Sequence, residues 1–349
     1  MEEIIEINDI REQNAFKGIT FSEFKKTEVL KEFVKSVNDN KYESVCYWSA
    51  ELISAGHYMD LWNIIIFYFA KYIHLGNVKI VSYLDMKCEK FKKLVKNGYM
   101  GQEIRLRNNP EIRNIFGEVC YVLCSSKKKN PLTEVKISSS SNYYKYKAPD
   151  LNFVNEFLVE DDLKDLIVPM NELVYQLRVE QNSVETCYWM EWLLEFERKS
   201  KKEKINILGR RKLKQVDSKF QKDMCFCIWD ILLTEAKEFD KLSFNAVKSS
   251  FNLFCLGYSP GTLKKRKLLL YFCIELLTSP FVNVPILEDK TKLENLSSNL
   301  NIVYKQIKKN EHSPNTDYLF NNEKANNLEK TIAKLDAMKN FEESFVPRI

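Results

Sequence analysis

A chain of 349 residues, 45% hydrophobic and 13% aromatic, can bury one large core or two of ordinary size. Its nine glycines and nine prolines are too few for the many tight turns of an all-β fold, so composition favours helices. A formal net charge of +5 is mild for a dedicated nucleic-acid binder, and the longest apolar run, Ile64 to Ala70, falls far short of the roughly 20 residues that span a bilayer.

Residues 1–24 read as a lead-in strand or loop, and the acidic start lacks the basic and apolar regions of a signal peptide. Val29, Leu30, Phe33, Val34 and Val37 recur at 3.6-residue spacing and predict a helix that Asn38-Asp39-Asn40 ends. The strongest signal follows, CYWSAELISAGHYMDLWNIIIFYFAKYIHLGN over 46–77. It predicts two buried helices joined at Gly56, where a helix C-terminus favours a residue tolerant of positive φ. The Ile64–Ile66 run also suits a buried strand, but the flanking periodicity decides for helix. Helices are expected next over Tyr83–Val95 and Pro110–Cys124, the second with proline at its first turn. The Lys-, Ser- and Tyr-rich stretch 127–150 reads as a linker.

In the second half, helices are expected over Leu163–Val179, around CYWMEWLLEF (187–196), around CFCIWDILLTEAKEF (225–239), and over Ala246–Leu256 and Leu263–Leu277. Beyond residue 285 the chain is Asn- and Lys-rich. It reads as a partly disordered polar tail with one marginal helix at Leu328–Met338. The expected organisation is all-α: a helical domain 1–126, a linker 127–150, a second helical domain 151–285 and a tail 286–349.

The halves repeat. Cys46-Tyr47-Trp48 returns as Cys187-Tyr188-Trp189 at a spacing of 141. Leu61-Trp62-Asn63 resembles Ile228-Trp229-Asp230 at 167, and Arg113, Cys120, Leu123 and Ser126 match Arg266, Cys273, Leu276 and Ser279 at 153. Three matches in conserved order predict a duplicated helical bundle.

Chemistry is harder to find. The sequence holds no Walker cradle, no G-x-G-x-x-G, no H-E-x-x-H and no G-x-S-x-G. His57 and His74 read as capping or satisfied polar groups, Glu51 as a buried carboxylate with a local partner, and Asp161-Asp162 as a solvated pair at a helix start. Cys120/Cys124 and Cys225/Cys227 have zinc-like spacing but lack a nearby histidine, and nine cysteines without a disulfide pattern point to a reducing cytosol. No catalytic residue, metal or cofactor is expected. The candidates for ligand contact are cations: Lys127, Lys128 and Lys129; Arg210, Arg211 and Lys212; Lys264, Lys265, Arg266 and Lys267. Such clusters neutralise phosphates, and Tyr143, Tyr144 and Tyr146 beside them could stack on bases.

The segment 46–77, with its C-Y-W-x-x-E-L and I-H-L-G-N strings and the second C-Y-W-x-E-W at 187–192, resembles a family of uncharacterised proteins of large nucleocytoplasmic DNA viruses. That likeness covers most of residues 16–280. Tyr47, Trp48, Gly56, Ile73 and Gly76 are also similar to the C-terminal helical domain of RarA-type AAA+ ATPases, over about 35 residues. This second likeness implies a collar-like oligomerisation or docking domain without ATP hydrolysis. Together these readings lead to an expected non-enzymatic adaptor or scaffold in a viral replication or transcription assembly, in the host cytosol or viral factory, with a protein partner or a second copy and no membrane. A nucleic-acid-binding module and a virion component are the alternatives.

Overall fold

The computed structural model of the protein describes residues 5–137, 146–211, 213–287 and 296–312. Among the described residues there are twelve α-helices and no named strand. The first half carries α1 (Lys26–Asn38), α2 (Tyr42–Ser54), α3 (Tyr58–Tyr68), α4 (Lys79–Lys96) and α5 (Pro110–Ser125). The second carries α6 (Ile167–Arg178), α7 (Ser183–Lys202), α8 (Met224–Glu235), α9 (Lys241–Phe254), α10 (Pro260–Arg266) and α11 (Leu268–Thr278). A last helix, α12 (Leu296–Lys308), follows.

The halves are two copies of one plan. α1 and α6 start 141 residues apart, as do α2 and α7, and α3 and α8 end 167 apart. α5 and α11 end 153 apart. In both halves the first helix packs on the second, the second on the last, and the last on the fourth. Local geometry repeats as well: Asn40 and Gln181, at equivalent turns, both take positive φ, 56° and 49°. Asn109-Pro110 opens α5 and Ser259-Pro260 opens α10, the short helix that leads into α11, each with a capping side chain ahead of a proline that has no N–H to satisfy. Trp48 and Trp189 each stand perpendicular to the tyrosine before them, with centroids 5.1 and 5.4 Å apart. Each also meets an aromatic ring from the segment leading into its own half, Phe24 on Trp48 and Tyr146 on Trp189. The tryptophans of the third helices, Trp62 and Trp229, are fully buried, each against rings of its own fourth helix.

The copies meet along α4 and α9. Ser249 and Ser82 hydroxyls lie 3.2 Å apart and the Asn252 amide donates to Asp85 at 2.8 Å, both pairs separated by 167 residues. Equivalent positions therefore touch each other, which places the two helices on the internal two-fold axis. Because both contacts advance in the same direction, the helices run parallel there.

Three segments depart from the sequence reading. Helix α3, which holds Ile64–Ile66 as the flanking periodicity predicts, continues into a five-residue π-helix, Phe69–Ile73. The start of the expected linker is a bound strap, 127–137, lying against the π-helix and α11. The start of the expected polar tail is α12, whose Leu296, Leu300, Val303, Tyr304 and Ile307 are buried against α2 and α5 of the first half. The helix expected at Leu328–Met338 lies outside the described residues, as do Tyr143 and Tyr144.

Candidate functional site

The basic residues do not form one surface. Arg266 is 2% exposed. Its Nη1 donates to the carbonyls of Leu253, Phe254 and Leu256, and its Nε and Nη2 to Asn63 Oδ1. Arg113, its counterpart in the first half, donates to the carbonyls of Arg107 and Ile5 and to Asn108 Oδ1. Each guanidinium ties down the chain that leads into its helix. Arg211 is equally buried and donates from Nη2 to Asp162 at 2.8 Å and to Cys227 Sγ at 3.1 Å. Arg211 and Arg266 therefore hold the fold instead of facing a phosphate, which corrects their reading as surface cations. Asp162 is corrected with them: its carboxylate is 2% exposed and also accepts the N–H groups of Val159 and Gly209.

Lys267 bridges Glu134 and Glu191, both at 2.7 Å. Burial opposes its charge, but the two carboxylates win and its pKa is raised. Lys128 donates to Asn40 Oδ1 and the Cys124 carbonyl, and burial lowers its pKa. Lys127, Lys129, Arg210, Lys264 and Lys265 are exposed, and Lys212 lies outside the described residues. The strap runs antiparallel to α11. Its Asn130 end sits at His74, 3.7 Å from Glu275, and its Glu134 end at Lys267. Lys127–Lys129 and Lys264–Lys265 thus flank about 12 Å of helix from opposite ends.

The other sequence candidates are structural. Glu51 accepts from Thr20 Oγ1, Ser22 N and Ser22 Oγ, anchoring the lead-in segment. His57 and His74 donate from Nε2 to the carbonyls of Ile19 and Asn130, and burial lowers both pKa values. Cys120 and Cys187 are buried and their thiols are pushed up by burial, the opposite of an activated nucleophile. Among the described residues, no group of three or more His, Cys, Asp or Glu is placed to hold a metal ion.

What the structure adds is a notch that occurs twice. In the first half it lies between the turn after α1, the π-helix, the approach to α4 and the end of α5, and the strap closes it. Lys129 N donates to Tyr72 O at 2.7 Å and Leu132 N to Lys71 O at 2.9 Å. Lys128 hooks Asn40, and the Lys127 carbonyl comes so close to Gly76 that a Cβ there would stand 2.5 Å from it. The equivalent notch in the second half is an open cleft of about 600 Å3. It is lined by Gln181, Phe239, Leu242, Ser243, Leu276, Leu277 and the chain 280–283, which leaves α11. Ser243 stands where the first half has Gly76, with its Oγ bonded to Asp240 at 2.6 Å. The chain that leaves α11 turns aside here to meet Asn77, whose amide donates to Pro285 O at 2.8 Å. The carbonyls of Glu238 and Phe239, counterparts of Lys71 and Tyr72, accept no hydrogen bond from any described residue.

The sequence carried one usable signal for this site: the internal repeat, which sets Gly76 against Ser243. The long-range pairing of Lys128 with Asn40 left no local trace. Comparison with protein-family models, with curated proteins and with solved structures finds no match to this chain.

Proposed function

We propose that the chain is a helical adaptor that holds a protein partner on its second half, without chemistry of its own, in a viral replication or transcription assembly. One observation carries this reading: a notch filled by the chain itself in one copy of the fold stands open in the other, with two backbone acceptors left over. Duplication supplies such a site readily, because one copy can keep the structural contact while the other exchanges it for a visitor. The α4/α9 seam supports the same reading, since it makes the two halves one stiff body on which a bound partner has a fixed orientation.

The test is affinity capture of the tagged full chain from the cells that make it, with cross-linking and mass spectrometry. A stable protein partner with cross-links to Lys237 or Lys241, beside the cleft, is expected. Recovery of no protein partner, or cross-links confined to the first half, overturns the reading.

A further inference from the structure

The first half shows, in atomic detail, what this notch accepts. Its occupant is non-helical chain bent at Asn130, reaches a side-chain amide oxygen at the turn after the first helix with a lysine ammonium, and gives two backbone N–H groups to successive carbonyls. It then buries part of an aliphatic side chain, Leu132, four residues beyond that lysine. The second half keeps the receiving groups. Gln181 replaces Asn40 on the same left-handed turn, Phe239 takes the sequence place of Tyr72 although the π-helix is here a 3-10 turn, Ala236–Glu238, with extended backbone at Phe239, and Phe239, Leu242 and Leu276 supply an apolar wall. Asp240 is the one carboxylate in the lining, with Lys237 and Lys241 exposed beside it.

From this internal copy we infer that the open cleft binds a non-helical segment of a partner protein carrying a lysine followed four residues later by an aliphatic residue, in the manner of Lys128 to Leu132. The segment adds backbone hydrogen bonds to Phe239 O and Glu238 O, and its lysine engages Gln181. This inference rests on the adaptor reading and specifies the partner's chemistry.

The probe is a fluorescein-labelled octapeptide with the sequence of Ser126–Thr133, titrated with the intact chain and followed by anisotropy. Saturable binding is expected, displaced by unlabelled peptide and weakened at least tenfold when the lysine matching Lys128 becomes glutamate. Two rim variants, Phe239→Glu and Leu242→Arg, each checked for an unchanged melting temperature, should abolish it. Asn40→Ala, in the first-half notch, should leave it intact. Absence of binding, or binding lost in Asn40→Ala but kept in the rim variants, overturns the inference. So does a chain that self-associates and is separated into monomers by the rim variants, because that result gives the cleft to a second copy. A partner captured from cells while the peptide fails leaves the adaptor reading standing and removes only this segment chemistry.

Discussion

At the scale of single residues, Arg266 is the clearest case of a side chain whose surroundings reverse its sequence reading. It makes five hydrogen bonds to neutral oxygens, and no described carboxylate pairs with it. Replacing it with methionine keeps most of the volume but strands the carbonyls of Phe254 and Leu256 and takes both donors from Asn63 Oδ1. Arg266→Met should cost about 3 kcal/mol in urea unfolding, whereas Lys265→Ala, exposed one residue away, should stay within about 0.5 kcal/mol. Tyr304 shows the converse. Its ring lies 3.8 Å from the Arg113 guanidinium carbon while its buried hydroxyl has no partner. Tyr304→Phe should therefore be neutral or slightly stabilising, and Tyr304→Ala should lose about 3 kcal/mol. The histidines set a pH dependence. Burial lowers the pKa of His57 and His74 below 6.5, so under acid conditions the unfolded chain takes up protons that the folded chain refuses. Their stabilising contribution is present above pH 6.5 and is lost as pH falls below it. Burial-raised carboxyls such as Glu275 and Glu197 act in the opposite sense. The double variant His57→Gln/His74→Gln should remove the histidine part, which is read as the difference in unfolding free energy from wild type between pH 7 and pH 5.

At the scale of elements, the helices were legible because their apolar spacing is local, and the repeat was legible because tryptophan and cysteine are rare enough to be traced. The strap and α12 were not. Leu296, Leu300, Val303, Tyr304 and Ile307 do follow a helical stripe, yet they sit among asparagines and lysines, and the groove they fill is formed by α2 and α5, far away in sequence. The Asp162–Arg211 pair, 49 residues apart, was hidden for the same reason. Gly117 records the fit of α12, since a Cβ there would stand 2.8 Å from Leu300. Gly76 records the fit of the strap, against backbone that cannot yield as a side chain can. Gly76→Ala should cost about 1–3 kcal/mol and speed hydrogen exchange at the Lys129 and Leu132 amides. Unchanged exchange there would remove the strap from its assigned place.

At the scale of the molecule, the two copies are joined by more than the α4/α9 seam. Each half lends the other a covering: the strap that leaves the first half lies along α11, and α12, which follows the second half, lies across α2 and α5. Neither half has a complete surface alone, so heat should unfold the body in one transition with matching calorimetric and van't Hoff enthalpies. Two separate transitions would show the halves to be independent. The borrowed helix also bears on how the chain is made. A ribosome delivers α2 and α5 about 170 residues before the segment that must cover them. At roughly 5–20 residues per second, their apolar groove stays uncovered for about ten seconds or longer. The half synthesised first is thus the last to be finished, and during that interval the nascent chain offers a natural landing place for a chaperone.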